Sequence, residues 1–313
     1  VNDGDEPLSA ERLQEEARRS DAVLTLLTDG VDADLLRSGD RLKCICNVAV
    51  GFDNIDVPAA TAAGIAVTNT PGVLTDTTAD FAFALLMAIA RRVVEGDRYA
   101  RAGRYTGWGI QLLLGADITG ATLGIVGMGR IGQGMAKRAA GFDMTILYSD
   151  EVRQPPERER ELNARYVDLD ELFAVSDFVS LHTPLTPETR HLVSWERLNT
   201  MKPTACIINT SRGPVINEPE LARALREGRI AGAALDVFEN EPAIYSDLLD
   251  LENVILTPHI ASASVATRTR MATMAAENCL ALLAGERPPN ILNPEVLESP
   301  QFRRRFELTG ASA

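Results

Sequence analysis

The chain has 313 residues, 45% hydrophobic and 24% charged, enough for two domains with separate cores. Its formal net charge of −13 repels phosphate backbones and anionic lipid, which excludes nucleic acid and membrane surfaces as general partners. The longest apolar run, "FAFALLMAIA", is too short to span a bilayer, and no signal peptide is visible.

The first residues, "VNDGDEPLSAERL", read as a polar loop entering a helix, and the expectation is that the beginning of a domain is missing. "DAVLTLL" (21–27), "KCICNVAV" (43–50) and "IAVTNT" (65–70) then read as strands, with short helices in "DADLLRSG" and "VPAATAAG" between them. Cys44 and Cys46 alternate and so share one face of their strand. With Cys206 and Cys279 they form no CxxC and no Cys/His cluster. Buried free thiols in a reducing cytoplasm, with no metal, are the simplest reading.

Residues 78–103 predict one long helix, apolar nearly all round in its first half and therefore buried on most sides. Six apolar strands follow: "TLGIVG", "MTILYSD", "DFVSLH", "ACIINT", "AGAALDV" and "NVILTPH". Such continuous apolar runs suit parallel strands covered on both faces. A last long helix (264–286) leads to a Pro-rich tail, where "FRRRF" (302–306) reads as a solvated basic run. The alternation predicts two doubly wound α/β domains of parallel sheet. A Rossmann-type domain (76–265) is inserted into a flavodoxin-like one (1–75 and 266–313) whose first strand is absent.

"LGIVGMGRIGQGMAKRAAGFDMTILYSD" carries GxGxxG at Gly127, Gly129 and Gly132. The pattern alone is weak. Here it follows a strand, opens a helix and is followed by a strand ending in Asp150, which makes it a dinucleotide fingerprint. Gly127 permits the turn, Gly129 the approach of a pyrophosphate and Gly132 close helix packing. Asp150 is placed to accept from the ribose hydroxyls. A carboxylate there repels a 2′-phosphate, so NADH is expected over NADPH, with Arg153 the one nearby cation that a flexible loop would bring to the phosphate.

Three charged residues end late strands: Arg212 in "INTSRGPVIN", Glu241 in "DVFENEP" and His259 in "TPHIAS". Ligands bind outside the carboxyl ends of parallel strands. Arg212 offers a planar fork for a carboxylate or keto acid. Glu241 beside His259 would hold the imidazole and favour its charged form, a general acid for a carbonyl oxygen. His182 and His191 have no such partners in the pattern and read as structural.

These motifs, with "VGFDNIDV", "NTPGVLTDTTADFAFALLMAIARR", "HTPLTPET" and "LTPHIASAS" in order along essentially the whole chain, resemble the NAD(P)-dependent D-2-hydroxyacid dehydrogenase family. Within it, "GVLTDTTAD" and "GWGIQLLLGADITG" are most similar to glyoxylate/hydroxypyruvate reductases. The resemblance implies Arg212, Glu241 and His259 as the catalytic set. It implies backbone N–H groups of Val50 and Gly51 holding the substrate carboxylate with Arg212. It places Arg130, Ile131, Thr183, Pro184, Thr210, Asp236 and His259 on the cofactor, Asp236 at the nicotinamide amide. Ala261 stands where Gly is common, so its methyl borders the nicotinamide, and Asp143 where Gly is usual at a turn. Glu241 disfavours formate dehydrogenase, which resembles Gln there. A homodimer built through helix 78–103 is implied. An NAD-sensing, corepressor-like protein of the same fold and an inactive fragment are the alternatives.

Overall fold

The computed structural model describes residues 7–307. The chain divides into two compact units, Val1–Leu74 with Ser264–Ala313, and Thr75–Ala263. Among the described residues, no helix is long and apolar enough to cross a membrane.

The first unit is built on three parallel strands in the order β1-β2-β3: β1 (Ala22–Thr25), β2 (Cys44–Asn47) and β3 (Ala66–Thr68). Alternation along β2 sends Ile45 to one face and Cys44 and Cys46 to the other. Ile45 packs with Leu13, Ala17, Leu35, Leu36 and Ala60 from three short helices. Cys44 and Cys46 pack with Cys279 and Leu282 of the helix Val265–Leu283, and with Val296 and Phe302.

The basic run near the C-terminus is a correction to the solvated reading. It forms the helix Pro300–Glu307 with Phe302 buried. Arg305 donates to the carbonyls of Ala63 (2.8 Å), Gly39 (2.5 Å) and Leu42 (2.9 Å), so its guanidinium fastens three chain turns. Burial lowers its pKa. Buried Asn293 does the same for β3, accepting from Val67 N–H and donating to the Ile65 carbonyl.

The second unit holds seven parallel strands: β4 (Thr122–Val126), β5 (Thr145–Ser149), β6 (Ala164–Tyr166), β7 (Phe178–Leu181), β8 (Cys206–Asn209), β9 (Gly232–Leu235) and β10 (Val254–Leu256). Their order is β10-β9-β8-β7-β4-β5-β6. The sequence direction reverses between β4 and β7, the topological switch point at which such sheets bind ligands. Separate apolar cores cover the two faces. β6 escapes a hydrophobicity reading: it has three residues, lies at the edge and exposes Arg165.

The expected helix over 78–103 is two helices, Thr75–Ala90 and Val93–Arg101. Arg92 takes φ 52°, and the Ala90 carbonyl accepts instead from the N–H of Ala116. Arg92 is fixed there by Glu95 (2.7 Å) and the Leu114 carbonyl (3.2 Å). The first helix buries Ala79, Ala82, Phe83, Leu85 and Leu86 within its own unit. Exposed apolar side chains remain on both helices, Met87 on the first and Val93 on the second, and Tyr105, Trp108, Ile110 and Leu114 are exposed in the following segment.

Candidate active site

At the end of β4 the backbone turns through Gly127 at φ 91°. A Cβ there would lie 2.8 Å from the His182 carbonyl carbon, and one on Gly132 would lie 2.1 Å from the Gly127 oxygen. Around Gly129 there is open space. Two glycines are therefore demanded by packing, while the third leaves a cradle. The helix Arg130–Ala140 opens on that cradle with no side chain capping it, so its first N–H groups and positive dipole end face the space. Arg130 is exposed and Ile131 half-buried at this opening.

Asp150 follows β5 beside the loop. One carboxylate oxygen accepts from Met128 N–H (2.5 Å), and the other makes only a 3.4 Å contact with Val152 N–H. The first bond fixes the loop; the second oxygen keeps acceptor capacity. Arg153 is held by Glu159 in a two-pronged pair (2.8 and 3.0 Å). Tyr148 also donates to Glu159 (2.7 Å), and with Arg153 it pulls the Glu159 pKa down to about 2.

The loop after β7 carries His182, Thr183 and Pro184. His182 lies against Ser180 (2.9 Å), and burial pushes its pKa down to about 4. The hydroxyl oxygens of Thr183 and, after β8, Thr210 are buried without a hydrogen-bond partner within the protein among the described residues. Two orphaned hydroxyls at the ends of the neighbouring strands β7 and β8, the first beside the Gly127 turn, fit a polar dinucleotide, whose groups would satisfy them.

Asn209, the last residue of β8, shapes the turn that presents Arg212. Its side chain accepts from Ser211 N–H (3.0 Å) and donates to the Arg212 carbonyl (2.9 Å). Arg212 donates to the Ser211 carbonyl. Gly213 passes so close to Phe238 that a Cβ would meet its carbonyl carbon at 1.9 Å. The arginine loop is thereby seated on the loop that carries Glu241.

Glu241 accepts from Phe238 N–H (3.0 Å) and meets His259 Nδ1 at 2.8 Å. Burial pushes the Glu241 pKa up. The bond and charge of His259, the Phe238 N–H and the charge of Arg212 outweigh it, and the net shift is downward. A carboxylate on Nδ1 leaves Nε2 as the ring nitrogen available to a ligand, on a side chain 32% exposed. His259 sits at φ 52° after Pro258, its N–H bonded to the Asp236 carbonyl (2.9 Å).

Asp236 is fully buried. Its carboxylate accepts from Thr257 Oγ1 (2.6 Å), Ile260 N–H (2.9 Å) and Ala261 N–H (2.8 Å), so it organises the histidine loop from beneath. Burial raises its pKa, against those hydrogen bonds. Ala261 is buried in the same loop.

Sequence reasoning missed a clasp behind Glu241. Buried Glu218 accepts from Glu239 N–H (2.8 Å), and Glu239 pairs with His191 Nε2 (2.5 Å). His191 thus has a carboxylate partner that the sequence pattern did not show, far from it in the chain.

In the first unit, the Val50 carbonyl is held by Asn69 (2.8 Å) and that of Gly51 by Asn47 (2.9 Å). Fixing the carbonyls orients the peptide N–H groups of this loop.

A doubly wound sheet with this glycine loop, and with Arg, Glu and His on consecutive strand ends, defines a dinucleotide-dependent enzyme class whose crevice carries a hydrogen-bonded imidazole–carboxylate pair. Residues 83–261 match the family model "D-isomer specific 2-hydroxyacid dehydrogenase, NAD binding domain". The chain is 55% identical to a glyoxylate reductase of Korarchaeum cryptofilum over 294 residues, 93% of this chain and 88% of that protein. It is 53% identical to a glyoxylate reductase of Thermococcus litoralis, covering 92% and 88%. The crystal structure of the TT0316 protein from Thermus thermophilus superposes with a TM-score of 0.87 at 45% identity, covering 92% of this chain and 90% of that one. The chain belongs to the D-isomer specific 2-hydroxyacid dehydrogenase family. It is an NAD(P)-dependent oxidoreductase of that family, whose reaction interconverts a small 2-keto acid and its D-2-hydroxy acid.

Proposed function

We propose that this protein reduces glyoxylate or hydroxypyruvate to the D-2-hydroxy acid with NADH. The observation that carries the acid–base part is the 2.8 Å contact between His259 Nδ1 and Glu241 at the carboxyl edge of the sheet. Nicotinamide supplies the hydride when bound. Gly127, Gly129, Arg130, Ile131 and Gly132 hold the pyrophosphate, and Asp150 the adenosine ribose. Thr183, Pro184, Thr210, Asp236 and Ala261 border the rest of the cofactor. The N–H groups of Val50 and Gly51 hold the substrate carboxylate, and the Arg212 fork orients the keto oxygen. His259, held at Nδ1 by Glu241, gives an Nε2 proton to that oxygen; in the reverse direction Nε2 takes it back.

The NADH preference rests on Asp150 and on Arg153, which is already committed to Glu159. A dimer is proposed through the segment of Tyr105, Trp108, Ile110 and Leu114, more than half exposed each. It adjoins a pocket of about 610 Å³ lined by Ile89, Val94, Leu114 and Val254 among others. Four buried free cysteines support a reducing, cytoplasmic setting. The test is kcat/KM for glyoxylate, hydroxypyruvate and pyruvate with each cofactor. NADH with glyoxylate or hydroxypyruvate should lead; no turnover with either acid would end this reading.

A further inference from the structure

Three of the four cysteines converge in the first unit, although two lie on a strand and the third is more than two hundred positions away. Cys44 and Cys46 point to one face of β2, and Cys279 comes down from the helix Val265–Leu283. Their three sulfur atoms lie within 4.8 Å of one another. Cys44 and Cys46 are fully buried and Cys279 is 8% exposed. On β3, Ala66 pairs with Cys44 and Thr68 with Cys46, so a small methyl and a hydroxyl share that face of the sheet. The Thr68 hydroxyl oxygen is buried and lies against the Cys46 thiol.

The geometry points to a binding site for a thiophilic d10 cation, zinc(II) in the first instance, on Cys44, Cys46 and Cys279 with the Thr68 oxygen as neighbour. Zinc–thiolate bonds of about 2.3 Å place three sulfurs roughly 4 Å apart around one ion, so little closure is needed. Thiols used only as small apolar fillers pack singly as well as together. Convergence of three, beside a buried hydroxyl oxygen, is what a tetrahedral ion would use. Both ligand-bearing elements are regular, a strand and a long helix, which fixes the sulfurs before the ion arrives. Binding displaces the thiol protons to solvent as the thiolates coordinate; no electron is transferred. The site would clamp the helix to the sheet and stabilise the folded unit by mass action.

The test uses the full chain, reduced and handled without oxygen. Cadmium titration should produce a sulfur-to-metal charge-transfer band saturating at one ion per chain, displaced by zinc. Protein grown with zinc should carry one ion in native mass spectra and melt higher than after chelation. Cys279→Ala should abolish the band, while Cys206→Ala, in the other unit, should retain it. Should Cys279→Ala not fold, Cys44→Ala and the native mass spectrum of the parent decide. Absence of both band and bound ion in the parent would overturn the site. So would a band unchanged in Cys279→Ala or Cys44→Ala, or a Cys279 disulfide in non-reduced peptide maps of freshly isolated protein.

Discussion

His259 holds a left-handed backbone at φ 52°, which costs a non-glycine residue roughly 1 kcal/mol or more. The structure supports it with its own N–H, with Asp236 beneath and with Glu241 on Nδ1. Strain retained at a residue with three supports marks a position chosen for where it puts the ring. His259→Ala should lower kcat by roughly 10²- to 10⁴-fold while leaving NADH affinity within a few-fold. Near-normal kcat in that variant would remove the imidazole from the chemistry. At Asp150, a 2′-phosphate would meet a carboxylate, while the only nearby arginine in the loop, Arg153, is tied to Glu159. Asp150→Ser with Glu151→Arg should therefore move the kcat/KM ratio toward NADPH by roughly tenfold to a thousandfold; equal cofactor use by the parent would sink this account. His182 gives a pH signature. Its pKa falls from 6.5 to about 4 through burial, so between those values the unfolded chain takes up a proton that the folded one refuses. Stability then rises with pH across that window and is lost as pH falls from 6.5 toward 4, by up to about 3 kcal/mol. Denaturant curves for the parent and His182→Gln should diverge below pH 6.5, and parallel curves would refute the burial.

At the scale of elements, three loops at the ends of β8, β9 and β10 are locked to one another before any ligand is considered. Gly213 seats the arginine loop on Phe238, and Glu218 holds Glu239. Burial, with the charges of Glu239 and Glu241, raises the Glu218 pKa. Glu218→Gln keeps an acceptor for the Glu239 N–H and removes that repulsion, so stability and kcat should stay close to the parent. Glu218→Ala leaves a half-buried N–H without its acceptor and should cost about 1–3 kcal/mol. It should lower kcat more than it raises KM, because Glu241 shares the loop. Identical kcat in the Ala and Gln variants would show that the clasp does not position Glu241. The sequence carried most of the large elements, because buried parallel strands are continuous apolar runs and the glycine loop has a fixed grammar. It did not carry the break at Arg92, since an arginine in left-handed conformation has no local signature and is imposed by the Ala90–Ala116 bond. β6 was too short and too exposed to register. Glu218, Glu239 and His191 were invisible for a different reason: their partnership is tertiary, between residues up to 48 apart. Asp143 was legible, and the left-handed φ of 53° that its turn demands is what a glycine would have adopted freely.

For the whole molecule, the question is where apolar surface remains once each unit has closed its own core. The helix Thr75–Ala90 buries Ala79, Ala82, Phe83, Leu85, Leu86 and Ala90 but leaves Met87 exposed. Trp108 at 83% exposed, Ile110 at 76% and Leu114 at 63% are spent on nothing within the described residues. Large side chains clustered on a short segment beside a concave pocket are the usual composition of an interface centre, where tryptophan contributes most per residue. A net charge of −13 makes random association unfavourable, so any self-contact must be specific enough to overcome like-charge repulsion. Trp108→Arg should therefore weaken self-association by roughly 30-fold or more, the effect of losing a side chain worth at least about 2 kcal/mol. The monomer's fold should survive, because Trp108 packs into no core. Light scattering across a dilution series should show the parent as a dimer and the variant dissociating at much higher concentration. A parent that is monomeric throughout, or a variant with the parent's dissociation curve, would show that this surface serves some other contact.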